Sequence, residues 1–189
     1  SLTWKPDGGG TWNTENGTLS GNILPGASAW YVTDQTVSAP FYLSSDINFQ
    51  NGSTSGGLTF GYTNTSNYYH VRFDHASGIQ ILRNGGVILT QEKPYLIFDY
   101  GKDYNLAVNV HGRQIDVYVN DDLVLSYTSD KDIPEGKTGY RLYNAAANLD
   151  NFTLLPGINT GLVKTSYVDT ENNPLADTVN LRKPIAADY

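Results

Sequence analysis

Residues 57–74, GLTFGYTNTSNYYHVRFD, contain two runs in which apolar and polar residues alternate, joined by a short polar loop. Side chains of a β-strand point alternately to its two faces, so this pattern predicts a hairpin of two half-buried strands. The buried face would carry Leu58, Phe60, Tyr62, Tyr69, Val71 and Phe73. The other face of the second strand, predicted to be exposed, would carry Tyr68, His70, Arg72 and Asp74.

The same alternation continues along the chain, with Gly, Asn, Asp or Pro interrupting it roughly every 8 to 12 residues. We therefore predict an all-β chain without helices, folded as an antiparallel β-sandwich of the jelly-roll, concanavalin-like kind. The predicted strands are 12–16, 18–21, 29–33, 41–49, 57–63, 67–74, 78–83, 86–92, 104–111, 114–120, 123–127, 138–144 and 147–154. Their predicted core includes Leu106, Val108, Val110, Ile115, Val117 and Val119.

The residue pattern of the sequence changes after Pro156 and Gly157. We predict one sandwich domain over residues 1–156, and a linker with a short C-terminal β-hairpin extension over 157–189, with strands at 162–168 and 178–181. A hairpin of about thirty residues cannot hold a core of its own. The extension is therefore expected either to dock on the sandwich or to begin a stalk repeat that continues outside this sequence.

Composition excludes several classes of function. There are 12 Lys and Arg against 19 Asp and Glu, the net charge is −7, and no basic run occurs. Nucleic acid and anionic membrane surfaces are therefore not expected partners. The sequence has no cysteine and no run long enough to insert in a membrane. Because it also lacks methionine, we expect a segment of a longer, extracellular bacterial protein, acting as a monomer.

Several motifs follow one another in a familiar order. They are TWNTENGTLSG at 11–21, FYLSSDINF at 41–49, the pair within 57–74, GKDYNLAVNVHGRQIDVYVNDDLVL at 101–125 and GKTGYRLYNAAANLDNFTL at 136–154. In this order they resemble the concanavalin-like sandwich of carbohydrate-binding module family 66, over residues 4–155. That family is attached to fructan hydrolases and occurs in surface proteins of Gram-positive bacteria, so the resemblance implies a carbohydrate-binding, lectin-like domain.

The extension carries a second, shorter resemblance. Residues 167–179, YVDTENNPLADTV, resemble the opening of mucin-binding-protein repeats of lactic-acid bacteria, which begin with Tyr-Val-Asp, a turn and Pro-(Leu/Ile)-Ala. A binding domain followed by a stalk repeat is the layout of a cell-wall-anchored adhesin. The two resemblances together imply a cell-surface protein that is anchored through regions outside this sequence.

The candidate site follows from the chemistry of sugar recognition. A sugar needs planar groups that form several hydrogen bonds and aromatic rings that cover its C–H faces. The candidate ligand-binding residues are Tyr68, His70, Arg72, Asp74, Arg141, Tyr143, Asn144, Trp30 and Tyr31. The alternative is a polar sheet surface whose Arg–Asp pairs stabilise the fold only modestly.

Catalysis and metal binding are less well supported by the residues present. The three histidines, His70, His75 and His111, accompany no cysteine and no nucleophile motif, so we predict that the domain is not an enzyme. No cofactor is predicted. A structural calcium ion remains an alternative, with oxygen ligands from the loops at 7–10, 99–103, 120–122 and 148–151.

These observations predict a non-catalytic adhesive domain of a bacterial cell-surface protein. Its partner would be a glycan or glycoprotein receptor on host epithelium, mucus or matrix. The first alternative is a carbohydrate-binding module of a secreted fructan-acting enzyme, and the second is a stalk domain that binds nothing.

Overall fold

A computed structural model describes residues 2–91 and 97–157, and the backbone of residues 163–164 and 180–181. Its strands are β1 (Trp4–Gly8), β2 (Thr11–Glu15), β3 (Thr18–Asn22), β4 (Ser28–Val37), β5 (Phe41–Phe49), β6 (Ser55–Asn64), β7 (Asn67–Asp74), β8 (Gly78–Arg83), β9 (Gly86–Thr90), β10 (Asp103–His111), β11 (Gln114–Val119), β12 (Asp122–Thr128), β13 (Gly136–Tyr143), β14 (Ala146–Pro156), β15 (Val163–Lys164) and β16 (Asn180–Leu181).

The first fourteen strands form two seven-stranded antiparallel sheets. The sheet that we call the front sheet has the order β1-β4-β13-β6-β7-β8-β9, and the back sheet has the order β12-β11-β10-β5-β14-β3-β2. Strand β13 lies between β4 and β6, although more than seventy residues separate it from either in the chain. The predicted antiparallel sandwich is thus confirmed.

The core lies between the two sheets and is built by every second residue of each strand. Phe60 of β6 stacks on Tyr69 of β7 with 5.5 Å between ring centroids, and it meets Phe41 of β5 edge-on at 5.7 Å. Burying each such side chain contributes about 1.5–3 kcal/mol. The core residues predicted in β10 and β11 are confirmed: Leu106, Val108, Val110, Ile115, Val117 and Val119 are all buried.

Two details of the front sheet differ from the predictions. Strand β1 was not predicted, because WKPDG has no alternation and contains a proline; it is an edge strand, where proline is tolerated. The second difference is Tyr62, predicted to face the core. A bulge follows Phe60, and Gly61 adopts a φ of 56°, so that Tyr62 points to the outer side instead.

The C-terminal extension is described only in part. Val163 and Lys164 pair with Leu181 and Asn180 in an antiparallel arrangement. The rest of the predicted strands at 162–168 and 178–181, and the repeat-like residues 167–179, lie outside the described residues. The domain boundary at 156 therefore stays a prediction.

Candidate functional site

The outer side of the front sheet, which we call the front face, brings most of the predicted site residues together. Cross-strand pairing sets Arg141 between Trp30 and Gly57, and sets Arg72 between Gly57 and Gln80. One row therefore runs across five strands. Because Gly57 has no side chain, the row lacks one between the two arginines, and we call this missing side-chain position the gap.

The packing of the backbone also requires glycine at position 57. A Cβ atom at this position would overlap with the Val71 carbonyl oxygen and lie 2.9 Å from the Arg72 Cα atom. Neither neighbour is a flexible side chain that could move aside. The close approach of β6 and β7 thus fixes where Arg72 leaves the sheet.

Arg72 is held by a network of neighbours. Its Nε and Nη2 atoms donate to Gln80 Oε1 at 2.9 and 2.8 Å, and Nη2 lies 3.2 Å from Asp74 Oδ2. Its Nη1 atom donates to Ser55 Oγ at 3.4 Å, while Gln80 donates onward to Thr90. These contacts restrict the rotamers of a long side chain, so the guanidinium is oriented before any ligand arrives.

Arg141 lies in a different environment. Its guanidinium packs over the rings of Trp30 and Tyr68, at 5.1 and 5.7 Å from their centroids, and Nη2 donates to Ser28 Oγ at 2.8 Å. The residue is only 8% exposed, yet its Nε and Nη1 atoms have no hydrogen-bond partner. Burial and the nearby charge of Arg72 lower the pKa of Arg141.

The energetic balance at Arg141 is unfavourable in the free protein. Removing a guanidinium from water costs several kcal/mol, whereas a cation–π contact contributes about 0.5–2 kcal/mol. Within residues 2–91 and 97–157, no carboxylate forms an ion pair with it. Arg141 is therefore a strong donor that the fold itself leaves partly unused.

His70 lies beneath this surface and is fully buried. Its Nδ1 atom is 3.0 Å from the Leu58 carbonyl oxygen, so Nδ1 carries the proton and donates. Its Nε2 atom has no partner. Burial, followed by the positive charge of Arg141, holds the pKa of His70 well below its usual value, and the ring is neutral at pH 7.

Aromatic side chains form one wall of the site. Trp30 meets Tyr68 edge-on with 5.4 Å between centroids, and Tyr62 packs beside both rings. The Tyr62 hydroxyl donates to Asp7, and burial together with this carboxylate raises the pKa of Tyr62. These rings form a buried cluster separate from the core between the sheets.

The prediction that this face is exposed is wrong. Tyr68, His70 and Asp74 are 4%, 0% and 8% exposed, and Trp30 is 6% exposed. Long side chains from neighbouring strands lie over the sheet and cover one another. Arg72, Tyr143 and Ser28 are partly exposed, and Asp7 at the edge of the face is exposed.

Two of the nine predicted site residues are not brought to the front face. Tyr31 follows Trp30 directly and so points to the other side of β4, where it stacks on Trp4 and Trp12 at 5.5 and 5.1 Å. Asn144 lies in the turn after β13 with a φ of 44°, and its Nδ2 atom donates to Thr54 Oγ1 at 2.7 Å. Tyr143, in contrast, shares the face of Arg141 and pairs with Ser28 and Ser55.

The site prediction omitted several residues that the structure places on this face. They are Ser28, Ser55, Gly57, Tyr62, Gln80 and Asp7. Gln80 could have been predicted from the sequence, because it is an isolated polar residue in GIQILR, between Ile79 and Ile81. The others depend on which strands are neighbours, and that information is not local.

Metal and membrane chemistry are not indicated in the described residues. Residues 2–91 and 97–157 contain no group of three or more His, Asp or Glu side chains arranged to hold an ion. His75 stacks on Tyr100, and His111 Nε2 lies 3.2 Å from Asp116 Oδ2 on the back sheet. None of the described residues belongs to a helix with the length and hydrophobicity needed to cross a bilayer.

Comparison with known proteins was informative at the level of structure. No family model and no curated protein matches the sequence. A carbohydrate-binding module of family 66 from Bacillus subtilis matches 80% of this chain and 94% of its own, with a TM-score of 0.71 and 24% identity. A Bacillus subtilis protein of unknown function with a galectin-like fold matches 81% and 89%, with a TM-score of 0.68 and 12% identity.

A third similar structure is a candidate glycosyl hydrolase from Parabacteroides distasonis. It matches 81% of this chain and 88% of its own, with a TM-score of 0.61 and 13% identity. At these identities the likeness demonstrates a shared sandwich fold. It does not transfer a ligand or an activity, because one fold supports many functions.

Proposed function

We propose that this chain is a non-catalytic glycan-binding domain and that its ligand binds on the front face. One observation carries the proposal: Arg141 is buried between Trp30 and Tyr68 with two nitrogen donors unpartnered, one strand away from the gap at Gly57. Buried polar groups are normally satisfied within the protein, and exceptions concentrate at functional sites.

The front face offers what a sugar requires. The guanidinium of Arg72 is held in place by Gln80, Ser55 and Asp74 and is partly exposed, and Tyr143 is partly exposed on the same face. The rings of Trp30 and Tyr68 are buried beneath this surface and hold the Arg141 guanidinium over their faces. The shared fold with a structure named as a carbohydrate-binding module agrees with this proposal.

The carboxylates of the face support a non-catalytic role. Hydrolysis of a glycosidic bond ordinarily uses two carboxyl groups that flank it. Asp74 is bound to Arg72 and accepts from the backbone N–H groups of Ala76 and Ser77 at 3.1 and 3.0 Å, and Asp7 accepts from Tyr62. Both acids on this face are thus committed to structural contacts.

In its cellular setting, we propose that the domain acts as the binding head of an extracellular, cell-wall-anchored adhesin of a Gram-positive bacterium. Its receptors would be glycans or glycoproteins on host epithelium, mucus or matrix, and many weak contacts per cell would add up by avidity. The repeat-like residues 167–179 favour this setting. The family resemblance alone would equally suit a module of a fructan-acting enzyme.

The experiment that tests the proposal is a glycan array probed with the full chain, including fructans and mucin glycans. Arg72→Ala is compared with Arg113→Ala, which also removes one positive charge but breaks an exposed ion pair with Asp132 on the other sheet. We expect glycan hits that Arg72→Ala weakens at least about tenfold, the loss of one charged hydrogen bond. Arg113→Ala should bind like the wild type.

Other outcomes distinguish the alternatives. Hits that survive in a folded Arg72→Ala variant would contradict the placement on the front face. The absence of any hit, together with no attachment of the chain to epithelial cells, would support a stalk domain that binds nothing, whereas no hit with attachment retained would indicate a protein receptor. Hits confined to fructans would favour the enzyme-associated module.

A further inference from the structure

We infer that the ligand of the front face carries an acidic group, such as a carboxylate or sulfate, which binds at Arg141. This inference rests on the proposed function and adds the chemical class of the glycan. It follows from the charges around Arg141 and from the position of its unpartnered donors.

The charges on the front face do not balance in the free protein. Arg72 is neutralised by Asp74 at 3.2 Å, and Asp7 lies at the other side of the face, bound to Tyr62. Arg141 has no carboxylate partner among the described residues. The chain as a whole carries 19 acidic against 12 basic side chains, so acidic residues are in excess.

The groups around Arg141 are poor hydrogen-bond acceptors for a guanidinium. The rings of Trp30 and Tyr68 attract positive charge by their faces but offer no lone pair in the plane of the guanidinium. The single hydrogen bond is to the Ser28 hydroxyl, a neutral acceptor. Nε and Nη1 remain without an acceptor. A neutral hydroxyl of a sugar could accept a hydrogen bond here, but only an anion also neutralises the buried charge.

The two arginines differ in their need for an anion. They stand on either side of Gly57, and burial, followed by the nearby charge of Arg72, lowers the pKa of Arg141. An acidic group beside Arg141 would neutralise the guanidinium that has no carboxylate partner, whereas Arg72 already has Asp74. Ser28, Tyr143 and Arg72 are half-exposed, and they mark the side from which it can enter.

Matched sugar pairs test this inference by isothermal titration of the full chain. The pairs are methyl glucuronide with methyl glucoside, methyl galacturonide with methyl galactoside, and sialyllactose with lactose. We expect at least one acidic member to bind about tenfold or more tightly than its neutral partner, with a preference that declines as sodium chloride is raised, because salt screens charge. Arg141→Met should abolish the preference, and Arg141→Lys should retain part of it.

The outcomes separate this inference from the proposed function. Equal affinity for the two members of every pair, or an acid preference that persists in Arg141→Met, would overturn it. If neither sugar of any pair binds, the inference of an acidic ligand is overturned as well. The glycan array with Arg72→Ala then decides whether the chain binds neutral glycans, and so whether the proposed function holds. Circular dichroism and a melting curve establish that each variant is folded.

Discussion

The front face and the outer side of the back sheet are both polar, but they differ in whether their buried polar atoms have hydrogen-bond partners. On the back sheet, Asp116 accepts hydrogen bonds from Gln114 at 2.9 Å, from Ser126 at 2.5 Å and from His111 at 3.2 Å. Thr128 then donates to Gln114. We call these five residues the Asp116 network. No side-chain atom of the network is buried without a partner.

On the front face, four buried atoms lack partners: Trp30 Nε1, His70 Nε2, and Nε and Nη1 of Arg141. Two sheets with the same strand geometry thus carry two different polar surfaces. The Asp116 network holds strands together, whereas the front face leaves buried polar atoms without partners at a cost in stability. Four substitutions test this contrast.

The largest effect is expected for Gly57→Ala, which closes the gap of the front face. The added methyl group meets backbone on both sides, so overpacking should lower the free energy of unfolding by about 3 kcal/mol. Urea denaturation measures it. Gly86→Ala on β9 is the matched control, since its Cβ would come no closer than 3.6 Å to its neighbours. Equal losses in both variants would contradict the packing described at Gly57.

Asp116→Ala should lower the free energy of unfolding by about 2 kcal/mol, because it leaves the donors of Gln114, Ser126 and His111 without their acceptor. Glycan binding should be unchanged. Thermal and urea unfolding, combined with the array, check both halves of this prediction. A stability like that of the wild type would mean that the Asp116 network does not support the fold.

Arg141→Met should act in the opposite direction. It replaces a buried, partly unpartnered cation with an apolar side chain of similar length, so the free energy of unfolding should rise by about 1–2 kcal/mol while the preference for acidic sugars is lost. Arg113→Ala, which breaks an exposed pair with Asp132, should change it by less than about 0.5 kcal/mol. Destabilisation by Arg141→Met would show that the cation is already compensated in the free protein.

The smallest expected change in the free energy of unfolding is its dependence on pH. His70 has a folded pKa well below that of the unfolded chain, so only the unfolded state takes up the proton below about pH 6.5. Stability should therefore fall as pH decreases from 6.5, with a contribution from His70 of about 1.4 kcal/mol per pH unit. His70→Gln should remove this contribution, as urea denaturation at several pH values will reveal. An identical pH dependence in this variant would exclude His70 as the cause.

Much of the fold was predictable because alternation is a local property. Strands β5, β7 and β8 have the predicted bounds, and most others differ by one or two residues. The edge strand β1 escaped prediction because proline interrupts its pattern, and the bulge at Gly61 reversed the side of Tyr62. A glycine in a strand can signal such a bulge, but it does not specify which way the next side chain turns.

The site was predictable in part. Adjacent residues of a strand point to opposite faces, so Trp30 and Tyr31 could not both belong to one site, nor could Tyr143 and Asn144. The alternation of the sequence therefore already indicated that one residue of each pair had to be left out. The burial of the front face was not accessible from local pattern. It arises because Arg141 of β13 lies beside Trp30 of β4 and reaches Tyr68 of β7, residues that are distant in the sequence.

The insertion of β13 between β4 and β6 has a consequence for the order of events during synthesis. When the first half of the chain leaves the ribosome, the strands bearing Trp30 and Tyr68 are present but the strand that joins them is not. The front face can be completed only after residue 143 has emerged and β13 has entered between β4 and β6. Antibodies or other probes of the front face would thus distinguish chains in which β13 has entered the sheet from chains that are still incomplete.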